Sequence, residues 1–187
     1  MTALRVLGID PGTRVVGWAV LEARRGTPRC IASGAWRLGR PPVALGERLL
    51  RLRRELSACV REHQPGLLAL ESAFFGKNAR SSLRLGESRG VVMVTAAELG
   101  LAVTELAPAL VKRRVAGAGA ATKEQIARLV GLQLDLHAGY ASADESDALA
   151  LALCALLQDA LPAPQEQAGS APGPRTGTAL PRGARRQ

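Results

Sequence analysis

Apolar residues in this chain occur in two kinds of stretch: short solid runs, and longer segments in which they recur every three or four positions. The first run, Leu4-Arg5-Val6-Leu7-Gly8-Ile9, is aliphatic and closes on a Pro-Gly turn after Asp10. It predicts a strand with an apolar environment on both faces. Residues 15–22 and 30–38 continue as strands across the turn-like Arg24-Arg25-Gly26-Thr27-Pro28, so residues 4–38 predict an antiparallel meander. The period then changes. Leu45, Leu49, Leu52, Leu56 and Val60 recur at helical steps with arginines between them, an amphipathic helix that stops before Pro65-Gly66. Leu67-Leu68-Ala69-Leu70 is a further short buried strand whose last residue is Glu71.

The second half alternates in the same way. Residues 81–99 predict a helix with small residues (Gly86, Gly90, Ala96, Ala97) on one side and the run Val91-Val92-Met93-Val94 leaving little polar face. Such a helix is either central to the core or half covered by a partner. Residues 101–106 predict a strand after a Gly100 cap, and Pro108 opens a helix through Lys112. A flexible break at 117–120 precedes a helix capped by Thr122 and running to about Leu134. The final helix spans about 143–157. Residues 161–187 have no apolar period and are rich in Pro, Gly, Ala and Arg, so they are expected to be a disordered basic tail behind a single domain of residues 1–160. There is no internal repeat.

Composition narrows the function classes. With 187 residues and 47% hydrophobic content the chain suits one soluble domain. No apolar run reaches the length of a membrane span and the N-terminus has no signal-peptide pattern, which predicts a cytoplasmic protein. Cys30, Cys59 and Cys154 are far apart and odd in number, arguing for buried thiols rather than disulfides or zinc. The net charge is +9, and since the tail carries Arg175, Arg182, Arg185 and Arg186 against Glu166, +6 of it stays on residues 1–160. A basic body points to a polyanionic partner, although arginine bias over solvated faces would give the same charge. Against 22 arginines there are three lysines, Lys77, Lys112 and Lys123. They are candidates for positions where a compact ammonium is wanted.

The candidate chemistry is carboxylate chemistry. Asp10 and Glu71 each end an apolar strand, where an unpaired charge is costly and invites a cation. Asp10 could equally be a turn residue accepting from the amides of Gly12 and Thr13. On the last helix Asp144 and Asp147 are one turn apart on one face, though acids in a first helical turn are also favoured by the helix dipole. Four carboxylates in one place would suit hard divalent ions, with Mg²⁺ keeping waters and sharing a substrate phosphate. Two ions about 4 Å apart can serve an in-line phosphodiester displacement. His63 and His137 lie outside these motifs and read as surface or helix-end residues.

Gly8-Ile9-Asp10-Pro11-Gly12-Thr13, then Glu71 with Phe74, Lys77-Asn78-Ala79 and Leu85-Gly86, then Arg89-Gly90-Val91, Val111-Lys112, and residues 144–150 follow one another in an order that resembles the RuvC family of Holliday junction resolvases. That family lies within the RNase H-like superfamily, and the resemblance covers nearly all of residues 4–157. It implies an α/β fold, a central mixed five-stranded sheet flanked by helices. It also implies a crossover junction endodeoxyribonuclease of DNA recombination and repair, with Asp10, Glu71, Asp144 and Asp147 as catalytic metal ligands. The cofactor would be two Mg²⁺ per active site, with Mn²⁺ able to substitute. Phe74, Lys77, Lys112 and Lys123 would contact DNA, Phe74 as a wedge in the junction core. Partners would be four-way junction DNA, a second copy of the chain as a homodimer, and the RuvA and RuvB branch-migration proteins. The glycine-rich 117–120 segment and the tail depart from the family pattern.

Two other classes share features with the chain. ATPases and phosphotransferases of the actin, Hsp70 and sugar-kinase type also end their first strand in an Asp-x-Gly-Thr-like loop, but they need a second phosphate loop that is missing here. A non-catalytic junction-binding module would explain the basic charge. It would not explain four acids, which without metal repel phosphate.

Overall fold

A computed structural model describes residues 4–24, 26–72, 79–117, 119–136 and 140–159. Phe74, Lys77, His137 and the 161–187 tail, on which expectations were placed above, lie outside the described residues.

Three strands, β1 (Leu4–Asp10), β2 (Val15–Arg24) and β3 (Thr27–Arg37), form the antiparallel meander. Helix α1 (Leu45–His63) crosses over to β4 (Leu67–Glu71), which pairs parallel to β1. Helix α2 (Ala79–Glu98) leads to β5 (Ala102–Leu106), parallel to β4. Then come α3 (Pro108–Ala116), α4 (Lys123–Gln133) and α5 (Ala143–Asp159). The strand order β3-β2-β1-β4-β5 makes one mixed five-stranded sheet, the architecture that the resemblance implies. No helix of the described residues is long and apolar enough to cross a membrane.

The central strands separate two cores. Leu7, Ile9, Val16 and Val20 pack with Leu52, Leu56, Val92 and Ala96 under α1 and α2. Val6, Ala19 and Leu21 pack on the other face with α3, α4 and α5. This two-sided burial is why β1 reads as a solid apolar run rather than an alternating one. Proline sits in the first turn of α3, and the Thr122 hydroxyl with the Gln125 side chain forms a capping box on α4.

Two expectations are corrected. Cys59 and Cys154 are buried as expected, but Cys30 is only partly so, because β3 is an edge strand. All-round burial belongs to α5, in which every residue from 148 to 156 is buried between the sheet and α3 and α4. Helix α2 is instead two-sided: Val92 and Ala96 are fully buried in this chain's own core, while Leu83 (64%), Met93 (40%) and Val94 (59%) are exposed. A substitution at Val92 or Ala96 therefore probes folding, not association.

Helix α5 lies directly on the backbone of β1 and β2. A Cβ added at Gly8 would fall on the carbonyl oxygen of Ala148, and one added at Gly17 on that of Asp144. Neither neighbour is the flexible end of a side chain, so α5 itself would have to move. Gly8→Ala and Gly17→Ala should each destabilise by about 1–3 kcal/mol or more, as overpacking does. Gly46→Ala, which meets open space on α1, should be neutral or stabilising. Urea unfolding midpoints for the three variants check this, and equal stability would mean that α5 is not seated through these glycines.

Candidate active site

The carboxylates arrive at one edge of the sheet from three elements. Asp10 ends β1 and Glu71 ends β4; Ile9 stands opposite Leu70 in the parallel register, so the two acids are neighbours at the carboxyl end of adjacent strands. Asp10 is also the register partner of Gly17 on β2. Because Gly17 lacks a side chain, the first turn of α5 comes down beside it. That turn carries Asp144, and Asp147 follows one turn on the same face. The four acids singled out in the sequence are thus brought together.

A cavity of about 320 Å³ opens there, lined by Asp10, Glu71, Asp147, Lys112 and Lys123 over an apolar floor that includes Val111, Ile126 and Leu151. Asp144 stands outside its lining, yet its charge reaches both Asp10 and Lys123. Lys123, the first residue of α4, places its Nζ 2.5 Å from Oδ2 of Asp147. That contact holds the ammonium above its ordinary pKa.

The electrostatics are those of crowded like charges. Burial, then the carboxylates of Asp147, Glu71 and Asp144, push the Asp10 carboxyl from 3.8 up to about 7, with Lys123 opposing them. Burial and Asp147 also raise Glu71, against Lys123 and Arg89. Among the described residues no three His, Cys, Asp or Glu side chains already converge into a coordination sphere, and Asp147 is held by Lys123 instead. The donor chemistry still fits a hard divalent cation, since the groups are carboxylate oxygens whose mutual repulsion such a cation would relieve.

Three side chains not foreseen in their roles hold the strand ends. Arg89, nearly buried on α2, donates to the backbone carbonyl of Glu71 and pairs with Glu105 on β5. The Ser88 hydroxyl donates to the carbonyl of Gly12 at 2.9 Å. The Arg48 guanidinium donates to that of Thr13 at 2.7 Å. Gly8 and Gly17 were also missed. A glycine inside a strand is the sequence signal that another backbone approaches closely. His63 ends α1 as expected and stacks on Trp18.

Comparison with known proteins places this arrangement. Residues 6–155 match the family model described as Crossover junction endodeoxyribonuclease RuvC. The chain is 44% identical over 154 residues to the protein of that name from Myxococcus xanthus, covering 82% of this chain and 80% of the relative. It is 41% identical over 154 residues to the one from Roseiflexus sp., covering 82% and 91%. Among solved structures, Thermus thermophilus RuvC in complex with a Holliday junction substrate superposes with a TM-score of 0.78 at 29% identity, over 83% of this chain and 94% of that one. The yeast mitochondrial Holliday junction resolvase shares the fold at 11% identity, with a TM-score of 0.62 over 84% of this chain and 79% of its own. The strands that carry the acids, the glycines that seat α5 and the match along residues 6–155 lead to one conclusion: the chain belongs to the RuvC family and is a crossover junction endodeoxyribonuclease.

Proposed function

We propose that this chain resolves Holliday junctions by paired, symmetric, metal-dependent hydrolysis of two phosphodiesters, with Asp10, Glu71, Asp144 and Asp147 as the metal-binding catalytic acids. The single observation that carries the metal assignment is the meeting of Asp10, Glu71 and Asp147 in one cavity, where burial and the other acids also push the Asp10 carboxyl up to about 7. Such a cluster needs cationic charge, which Lys123 and Arg89 supply only in part. Two divalent ions, Mg²⁺ or in its place Mn²⁺, would lower the pKa of the attacking water and neutralise the phosphate. The protein's own part is placement. Asp10 and Glu71, at the ends of paired strands, form a base fixed by the sheet, and Asp144 and Asp147 close it from α5. Lys112 and Lys123 at the cavity wall suit contacts to phosphates flanking the cut. Phe74 as the junction wedge and Lys77 as a DNA contact rest on the family resemblance alone. So does assembly with RuvA and RuvB; action in the cytoplasm is the expectation drawn from the sequence pattern. We take residues 1–160 as the nuclease domain, followed by a basic 161–187 tail.

Two cuts of like polarity call for two-fold symmetry. The exposed apolar stripe on α2, with Leu83, Met93 and Val94 beside Gly86 and Gly90, supports a homodimer through that face.

Asp10→Asn, Glu71→Gln, Asp144→Asn and Asp147→Asn should fold normally and bind a four-way junction in EDTA at least as well as wild type, because each removes a charge that faces phosphate. Cleavage in Mg²⁺ should fall by orders of magnitude. Near-normal cutting by the Asp10 and Glu71 variants would end the nuclease assignment of this site. The raised Asp10 pKa also sets a sign. A carboxyl that holds its proton more tightly when folded stabilises the fold below about 4, and that contribution is lost as pH rises through about 7. Melting of the metal-free protein should therefore move to lower temperature between those pH values. Asp10→Asn should flatten the trend, and Mg²⁺ should restore the loss at neutral pH. Val94→Asp should give monomers in sedimentation without lowering the melting temperature, and wild type found monomeric at micromolar concentration would remove the dimer.

A further inference from the structure

The segment 10–13 contributes to two cavities. Asp10 lines the carboxylate site between α3, α4 and α5. Gly12 and Thr13, with Arg14, Arg48, Ser81 and Arg84, line a second cavity of about 550 Å³ on the α1 and α2 face. The metal chemistry makes no use of it.

Arg48 makes this cavity more than a surface fold. Its side chain carries a full charge at only 7% exposure. Its guanidinium donates to one backbone carbonyl, that of Thr13, and its buried Nε has no hydrogen-bond partner. Among the described residues no carboxylate pairs with it. A buried guanidinium without a counter-charge is costly, and its planar fork matches the paired oxygens of a phosphate or carboxylate. Arg14 is exposed at the rim. Arg84, also exposed, lines the same cavity and shares its charge with Glu87 at 3.1 Å. No aromatic ring lines the cavity among the described residues, so nothing there stacks a base. The chemistry is that of an oxyanion receptor.

We propose that this cavity is a second phosphate subsite, which takes a backbone phosphodiester of the junction strand next to the phosphate cut at the carboxylates. The proposal rests on the nuclease reading of the neighbouring site and gives it a missing component. Four acids repel the strand they must cut, and an oxyanion receptor on the other side of the same loop would hold that strand by an adjacent phosphate. The phosphodiester would also supply the counter-charge that Arg48 lacks.

The test uses the full chain and a fluorescent four-way junction in EDTA, with Kd measured across a series of salt concentrations. Each lost phosphate contact lowers the slope of log affinity against log salt by about 0.9. Arg14→Gln and Arg84→Gln should each show that drop, whereas Arg61→Gln at the far end of α1 should keep the wild-type slope. The rim variants decide the matter even if Arg48→Lys fails to fold. Unchanged slopes in both rim variants would overturn the proposal. An equal drop for Arg61→Gln would do the same, by reducing the effect to general charge. In a parallel arm, inorganic phosphate is added to wild type and the melting temperature is followed. Thermal protection by phosphate with unchanged junction slopes would identify a free-anion site and refute the DNA assignment. The nuclease reading fails separately, through cutting by Asp10→Asn or Glu71→Gln, and the binding slopes measured in EDTA do not depend on that result.

Discussion

The constraint on which the rest depends is the contact of α5 with bare backbone at Gly8 and Gly17. Where side chains intervene, a helix stands off a sheet by the depth of those side chains, and an acid on its first turn would sit away from the strand ends. Removing the side chains at two positions lowers α5 until the Asp144 turn is level with Asp10. The same approach explains why α5 has no polar face from residue 148 to 156. One side meets the sheet and the other meets α3 and α4, so residues 148 to 156 carry no charge. Asp144 and Asp147 stand before that enclosed stretch, where the helix is still partly open.

The loop that follows Asp10 is fixed by a complementary device. Segments leaving a strand expose carbonyls that must find donors. Here the donors come from the helices on the opposite face: Arg48 of α1 to Thr13, Ser88 of α2 to Gly12, and Arg89 of α2 to Glu71. Each bond ties a strand end to the core under α1 and α2, while the carboxylates themselves face α3, α4 and α5. The sheet thus holds acids on one side and their anchors on the other.

Most of this architecture could be read from local pattern. The solid run of β1, the period of α1, Pro108 at the start of α3 and the Thr122 cap are signals carried by neighbouring residues, and the elements formed where those signals pointed. The acids were legible for the same reason, since a carboxylate ending an apolar run is conspicuous. What escaped were contacts between distant segments. Nothing near Gly17 announces Asp144, and nothing near Arg48 announces Thr13. The apolar run 91–94 left open whether α2 is central to the core or half covered by a partner, because the run alone does not reveal phase; Val92 is buried while Met93 and Val94 are exposed. Burial of Cys30 was overestimated because a strand's position in the sheet, edge or centre, is set by pairing and not by its own residues.

Concentrating four carboxylates beside a core works against the fold, and burial with mutual repulsion raises the pKa of both Asp10 and Glu71. The molecule does not remove it with a full set of cations; Lys123 reaches Asp147 while Asp10 and Glu71 stay crowded. A fully paired site would be more stable without metal but would hold it less tightly, because each ammonium would have to be displaced. Leaving the repulsion partly unrelieved makes the folded protein a better ligand for a divalent ion. Binding to the folded state alone then returns stability in proportion to affinity. On the proposed metal assignment, the strain on the fold and the avidity for the cation are the same free energy, and acids on strand ends and a helix that cannot move apart preserve it.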